Sequence, residues 1–307
     1  MRLINPSVEL IEQSFGITGI YQIIEKVART CYKSEDHITE DSAKPFVERM
    51  IKSQHLAMLE HGTVYLKYET VKDTNNPLSK YFLNKYSKVT YTCDEVDLTN
   101  ILYVTTNLRV LVEKGWMDDL QYLCEPTEYH VKRICLKFIT SIGVSREGNR
   151  HRTFSIAEQS TRYCNYSKEK YGKEVTFVIP SWLDIPEGKY VGSVYETLSG
   201  EPSYTFECLE TGNKYEVGSP EGQFLGSLRD AEEAYFHLLQ KGWKPQQARE
   251  ILPLSTATEV VYTAFEEDWA HFFNLRYRGT TGAPHPNTLQ VATMAHDLIK
   301  EKLGKDL

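Results

Sequence analysis

The sequence lacks a hydrophobic run that could cross a membrane. No stretch of its 307 residues approaches the roughly 20 apolar residues that a bilayer span requires. Residues 1–6 contain no apolar signal core before their Asn-Pro turn, so we do not expect secretion. The hydrophobic share of 41% and the charged share of 25% are ordinary for a globular protein, and no repeat is visible. We therefore expect a cytoplasmic protein without a membrane partner.

Closely spaced cysteine pairs are also missing. Because no two cysteines have CxxC spacing, a zinc ribbon or a dithiol redox centre is disfavoured. We expect reduced thiols and no metal site. The six cysteines are Cys31, Cys93, Cys124, Cys135, Cys164 and Cys208.

An excess of basic residues is absent as well. The chain has 35 Lys and Arg against 42 Asp and Glu, which gives a formal net charge of −7. A general nucleic-acid binder needs a basic surface, so we expect no nucleic-acid partner. A local arginine cluster can still bind an anionic small molecule, because local charge outweighs net charge at a site.

Hydrophobic periodicity predicts strands and helices without strict alternation. This mixture favours a single α/β domain over residues 1–307, with a mixed sheet flanked by helices. The segment Ile134–Ile139 fits either a strand or a helix. We predict helices over 20–31, from Asp41 or Ser42 onwards, over 105–115 with an end at Lys114-Gly115, over 227–241, from Pro245 to Pro253, over 266–277 and over 288–303. We predict strands over 63–68, 88–93, 101–105 and 175–179, and a hairpin formed by 205–209 and 214–217 around Gly212-Asn213.

The densest polar segment of the chain runs from Arg150 to Tyr163. Three consecutive cationic or titratable residues, 150–152, cannot all face one way on a helix, so we place them at a helix end or a turn. Glu158 and Arg162 are four residues apart and would share one face of a helix. Two interpretations remain open: a solvated helix edge with a Glu–Arg pair, or a site in which arginine forks bind an anion.

A motif in this segment resembles the signature of the flavin-dependent thymidylate synthase family. The signature is Arg-His-Arg, seven residues and Ser, here Arg150-His151-Arg152 and Ser160, followed by Arg162-Tyr163. His55 with Glu60-His61 resembles the family's short element before a strand. Residues 248–276 resemble its C-terminal Ala-Arg, Leu-Pro and Phe-Leu-Arg block. The resembling blocks, 52–66, 144–182 and 231–276, follow the family's order.

The resemblance implies reductive methylation of deoxyuridylate (dUMP) to thymidylate (dTMP). It implies FAD as cofactor, with NADPH as reductant and methylene-tetrahydrofolate as carbon donor. It also implies a homotetramer whose sites are shared between subunits. All these ligands are anionic, so the implied site needs several arginines in an acidic chain.

The resemblance further implies a role for each matching residue. Arg276 would stabilise charge on the uracil ring, and Ser160 would support catalysis by binding substrate, since no Ser-His-acid arrangement surrounds it. Taken alone, His55 and His271 also fit core positions. Arg249 and Arg276 also fit surface positions near helix ends. The implied substrate residues are Glu147, Glu158, Ser160, Arg162, Arg249 and Arg276. The implied FAD residues are Cys31, His55, Arg150, His151, Arg152, Ser155, Glu158 and His271.

Three departures from the family pattern leave alternatives open. Residues 69–128 and 190–222 are predicted insertions, the second a surface hairpin. Phe265 and Glu267 occupy the places of an Asn-x-Arg that helps to hold FAD, and Asn107-Leu108-Arg109 is a candidate replacement. Glu147 stands where Gln is frequent. The alternatives are another flavin- and folate-dependent enzyme that modifies a pyrimidine nucleotide, which product mass would distinguish, and a non-catalytic nucleotide-binding relative.

Overall fold

A computed structural model describes residues 1–71, 76–93, 99–196 and 202–307 of the chain. Parts of both predicted insertions, 72–75, 94–98 and 197–201, lie outside the described residues. The α-helices of the described residues are α1 Gly16–Thr30, α2 Ala43–Lys52, α3 Leu108–Lys114, α4 Ile142–Gly148, α5 Pro220–Gln240, α6 Pro245–Ala248, α7 Glu266–Arg276 and α8 Pro286–Leu303. No helix in these ranges combines the length and the apolar character needed to span a membrane.

Strands from three sheets are interspersed with these helices along the chain without strict alternation, and the predicted mixed α/β class is confirmed. The strands of the described residues are β1 Arg2–Ile4, β2 Ser7–Leu10, β3 Thr63–Val71, β4 Lys88–Cys93, β5 Thr99–Asn107, β6 Arg133–Ser141, β7 Ser155–Glu158, β8 Thr176–Val178, β9 Gly188–Glu196, β10 Pro202–Cys208, β11 Lys214–Glu216 and β12 Ala257–Phe265. Whether 69–128 and 190–222 are insertions stays a prediction.

A four-stranded antiparallel sheet in the order β2-β6-β12-β7 carries two of the predicted site residues, Ser155 and Glu158, at the two ends of β7. The ambiguous segment 134–139 is a strand in β6, because β2 and β12 pair with both of its edges. Helices α7 and α8 cover one face of this sheet. The core there is aromatic: Trp269 is fully buried, its ring lies 4.6 Å from that of Phe154, and its indole N–H donates to the carbonyl of Ile134 at 3.1 Å.

A five-stranded mixed sheet follows the order β11-β10-β9-β1-β8, in which β1 and β8 are parallel. The predicted hairpin is confirmed as β10 and β11, with Gly212 in a left-handed conformation at φ 74°. The inner face of this hairpin is part of the hydrophobic core, because Phe206 is buried against α5 together with Tyr190.

The third sheet, β3-β5-β4, is antiparallel and lies within and beside the first predicted insertion. It shares one hydrophobic core with α1 through Val64, Leu66 and Val104, which are fully buried. Asn107 caps α3 by accepting a hydrogen bond from Val110 N at 3.2 Å, and Gly115 ends that helix as predicted.

Two helix predictions need correction at their ends. Helix α5 begins at Pro220 rather than at 227, because Ser219 caps it by accepting from the Gly222 amide and proline suits its first turn. Helix α6 ends at Ala248, and a 3-10 turn over Arg249–Ile251 replaces the remaining predicted turns before Pro253.

The predicted shared helix face of Glu158 and Arg162 is wrong. Glu158 is the last residue of β7, which pairs with β12, and Arg162 lies in the turn that follows. Extended backbone prevails here because Ile156 and the buried Ala157 alternate as a strand in the sheet. By contrast, residues 149–154 form the predicted turn after a helix end.

Candidate functional site

Five of the predicted site residues line one open cavity of about 530 Å³. They come from the C-terminal end of α1, from the end of β7 and the turn after it, and from the residue that follows α6. These residues are Cys31, Glu158, Ser160, Arg162 and Arg249.

Backbone hydrogen bonds hold the chain at the cavity floor. The amide of Gln159 donates to the carbonyl of Glu259 at 2.8 Å, which continues the pairing of β7 with β12. The amide of Ser160 then donates to the carbonyl of Cys31 at 2.8 Å. Strand β7 and helix α1 are thereby joined at Ser160. The thiol of Cys31 is a weak nucleophile, since burial and then the neighbouring Cys164 raise its pKa to about 11.

The carboxylate of Glu158 accepts three side-chain hydrogen bonds. Ser145 Oγ donates to Oε1 at 2.6 Å, and Thr258 Oγ1 donates to the same oxygen at 3.2 Å. Asn149 Nδ2 donates to Oε2 at 3.2 Å. Three donors from α4, β12 and the residue after α4 therefore fix the carboxylate at the cavity wall.

The cavity wall is cationic and aromatic. Arg249 Nη1 donates to Thr161 Oγ1 at 2.9 Å, and the guanidinium of Arg162 lies 5.3 Å from the centre of the Tyr163 ring. Sequence analysis missed two further contributors. Arg146 projects from α4 into the lining, and Tyr32 places its ring 5.3 Å from that of Tyr163. Both are sequence neighbours of predicted residues, Arg146 of Glu147 and Tyr32 of Cys31, and that proximity is the signal that could have indicated them.

A second group of predicted residues meets beside α4 and α7, outside the cavity lining. Arg276 forms an ion pair with Glu147, with Nη1 and Oε2 3.1 Å apart, and its Nε faces His151 Nε2 at 3.4 Å. His271 lies against His151, with ring centres 5.9 Å apart. The structure thus separates Arg276 from Ser160 within one chain.

His151 points inward, between the rings of Phe154 and Phe272, and only 7% of it is exposed. Burial, the Arg276 guanidinium and His271 lower its pKa to about 4. His151 is therefore neutral at pH 7, and its Nε2 accepts from Arg276.

The remaining predicted FAD residues are spread over the surface and the sheet. Arg150 and Arg152 are exposed on either side of His151, and His55 is exposed just before the 3-10 turn Leu56–His61. Ser155 is buried, and its Oγ accepts from Arg133 Nη2 at 3.2 Å.

His61, the last residue of the predicted Glu-His element, is fully buried. Its Nδ1 lies 2.8 Å from Thr263 Oγ1 on β12, which ties the element to the sheet. Burial, followed by the charge of Arg133, lowers its pKa to about 3, so this histidine stays neutral.

Asn107 and Arg109, the candidate replacement for the missing FAD contacts, already have partners. The carboxamide oxygen of Asn107 caps α3. Arg109 binds Glu60 at 2.5 Å and Glu113 at 2.7 Å. Arg109 therefore links α3 to the Glu-His element, and its role towards FAD stays a prediction.

Comparison with known proteins shows which family the chain belongs to. The family model of the thymidylate synthase complementing proteins matches residues 129–303, which is more than half of the chain and includes most residues of both clusters. The chain belongs to this family. Its members are the flavin-dependent thymidylate synthases, so the predicted family is confirmed. The chain is accordingly a thymidylate synthase-like enzyme.

Two solved structures are similar to this chain, each at 18% sequence identity. Both are a UMP/dUMP methylase, PolB from Streptomyces cacaoi, one bound with 5-Br dUMP and the other with 5-Br UMP. Each match covers 98% of this chain. The match to the structure with 5-Br dUMP covers 93% of the PolB chain at a TM-score of 0.41, and the match to the structure with 5-Br UMP covers 92% at a TM-score of 0.42. A comparison with curated proteins gives no match.

Proposed function

We propose that the protein is an FAD-dependent thymidylate synthase. It would convert dUMP to dTMP by reductive methylation, with methylene-tetrahydrofolate as carbon donor and NADPH as reductant. The observation that carries the proposal is the cavity in which Ser160, Arg162 and Arg249 meet the fixed carboxylate of Glu158, in a chain of this family.

The cavity offers complementary groups to a nucleotide monophosphate. The guanidinium groups of Arg162 and Arg249, with the hydroxyl of Ser160, suit a phosphate because arginine forks donate parallel hydrogen bonds. Glu158 can only accept when ionised, so it suits an N–H or O–H of the base or sugar. Tyr32 and Tyr163 supply flat surfaces at the same cavity.

Arg276 would act on the uracil of a neighbouring subunit's site. Within one chain it lies with Glu147 and outside the cavity lining, which supports sites shared between the subunits of the proposed homotetramer. Its guanidinium would stabilise negative charge on the ring oxygens as the ring reacts. Glu147 would orient Arg276 and bind substrate beside it.

The residues around the Arg-His-Arg turn fit FAD. Arg150 and Arg152 are exposed, and neither has an ion-pair partner among the residues that the structure describes, so both can bind the diphosphate of FAD. The other proposed contacts are His151 and its neighbour His271, with His55, Cys31, Ser155 and Glu158. When bound, FAD would supply the hydride after reduction by NADPH.

A binding experiment and a turnover experiment test the proposal. We expect the apoprotein to bind FAD with quenching of flavin fluorescence, and the loaded protein to form dTMP from dUMP, NADPH and methylene-tetrahydrofolate. No FAD binding at tens of micromolar, an affinity weaker than about −6 kcal/mol, would refute the cofactor. A product of another mass would favour the alternative modifying enzyme, and nucleotide binding without product would favour the non-catalytic relative. The cytoplasmic location stays a prediction.

A further inference from the structure

A line of hydrogen bonds connects the aromatic core to the cavity. Tyr262 lies on β12 with only 3% of its surface exposed. Its hydroxyl lies 3.0 Å from Asn149 Oδ1 and 3.2 Å from the carbonyl of Ser145. Asn149 Nδ2 and Ser145 Oγ in turn donate to Glu158. One buried hydroxyl thus contacts two of the three residues that hold the carboxylate.

Chemistry fixes the direction of each bond in this line. An ionised carboxylate only accepts, so the amide nitrogen of Asn149 must face Glu158 and its oxygen must face Tyr262. The Tyr262 hydroxyl must then donate, and its one proton is shared between Asn149 Oδ1 and the Ser145 carbonyl. It keeps its proton, because burial and the nearby Glu158 raise its pKa far above the ordinary value.

A glycine makes room for this arrangement. A Cβ atom at Gly148 would overlap the Tyr262 hydroxyl and would lie 2.8 Å from Cζ of the ring. Helix α4 can therefore rest directly on Tyr262 only with glycine at this position. The tyrosine, the glycine and Asn149 form one fitted unit at the C-terminal end of α4.

We propose that Tyr262 is a positioning residue that acts through Asn149 and Ser145 to hold Glu158 as a fixed hydrogen-bond acceptor for the nucleotide. The inference rests on the proposed function and extends it to specificity. A carboxylate has about four lone-pair sites, and three are occupied by donors here. The site left towards the cavity selects ligands that present an N–H or O–H.

A double-mutant cycle tests the coupling. We expect Tyr262→Phe to weaken dUMP binding about three- to tenfold, as the loss of one hydrogen bond implies, when measured by isothermal titration calorimetry. In a Glu158→Gln background the same substitution should change affinity less than about twofold, because the two residues then share one effect. Equal losses in both backgrounds would show a general structural role and overturn the proposal.

Two variants control for effects on folding. Tyr166→Phe also removes a buried hydroxyl, one without a hydrogen-bond partner among the residues that the structure describes, and should leave dUMP affinity unchanged. Asn149→Ala breaks the same line from a half-buried position, should fold if Tyr262→Phe does not, and should show the same dependence on Glu158. An Asn149→Ala protein with wild-type affinity would contradict the proposal.

Crystal structures separate this inference from the proposed function. In Tyr262→Phe we expect the Asn149 amide to rotate and the Glu158 carboxylate to move or to adopt a second conformer. An unchanged Asn149–Glu158 contact would overturn the positioning role. A wild-type protein that binds no dUMP would count against the proposed function, and the crystallographic comparison would still decide the role of Tyr262.

Discussion

Replacement of Arg249 by alanine removes a guanidinium from the cavity wall and leaves the backbone at the end of α6 in place. The side chain is 34% exposed, donates to Thr161 and lies 3.5 Å from Glu250. These contacts are at the protein surface, so the stability of the fold should change by about 1 kcal/mol or less. The main effect should fall on an anionic ligand.

The expected magnitude follows from the lost phosphate contact. A hydrogen bond to a charged group contributes about 1.5–3 kcal/mol, and each 1.4 kcal/mol changes an affinity tenfold. Because about a third of the side chain is exposed, solvent screening favours the lower end of this range. We therefore expect Arg249→Ala to weaken dUMP binding about 10- to 30-fold.

Calorimetric titration of dUMP and of deoxyuridine, which has no phosphate, separates the contact from a general disturbance. Arg229→Ala is a matched control: Arg229 is 33% exposed, also precedes an acidic residue, and is absent from the cavity lining. We expect the loss only for Arg249→Ala and only with dUMP. An equal loss with deoxyuridine, or none with dUMP, would refute the assignment of Arg249 to the phosphate.

Three further outcomes are expected. Ser160→Ala should retain measurable turnover, whereas Arg276→Ala should lower kcat about 10²–10³-fold at saturating dUMP with FAD occupancy checked; the reverse order would point to covalent catalysis. The folded-state pKa values of His61, about 3, and His151, about 4, lie below the unfolded value near 6.5. The contribution of these two histidines to the free energy of unfolding should therefore be complete above pH 6.5 and should decrease as the pH falls. Each histidine lowers the free energy of unfolding by up to about 1.4 kcal/mol per pH unit. Urea midpoints that do not change between pH 7.5 and 5 would contradict this. If Arg109 contacts FAD, Arg109→Ala should weaken FAD binding by roughly 1.5–3 kcal/mol; unchanged affinity would leave Arg109 as a link between its two glutamates.

Local signals predicted much of the fold. Gly115 and Gly212 marked a helix end and a hairpin turn because both positions require a left-handed backbone. The segment 134–139 stayed ambiguous because a short apolar run buried on both sides has no distinguishing period. The helix face assigned to Glu158 and Arg162 failed for a related reason: four-residue spacing indicates proximity only if the backbone is helical, and pairing with β12 decided otherwise.

The candidate site was predictable where its residues are close in sequence or belong to a motif. Ser160, Arg162 and Arg249 share the cavity as the resemblance implied. The support of Glu158 was not predictable, since Thr258 reaches it from 100 residues away. Nothing in the sequence pattern distinguishes a tyrosine that donates to the site from one that only packs.

The buried indole of Trp269 gives the protein an optical label of its own. The chain has four tryptophans: Trp182 and Trp243 are 60% and 47% exposed, Trp116 is half-buried against Tyr81, and Trp269 on α7 is fully buried beside Phe154. Iodide in solution can quench Trp182 and Trp243 fully and Trp116 in part, and it cannot reach Trp269 while the core is closed. The emission that resists iodide should therefore be blue-shifted, and its loss would report the opening of the core beneath His151 before the whole chain unfolds.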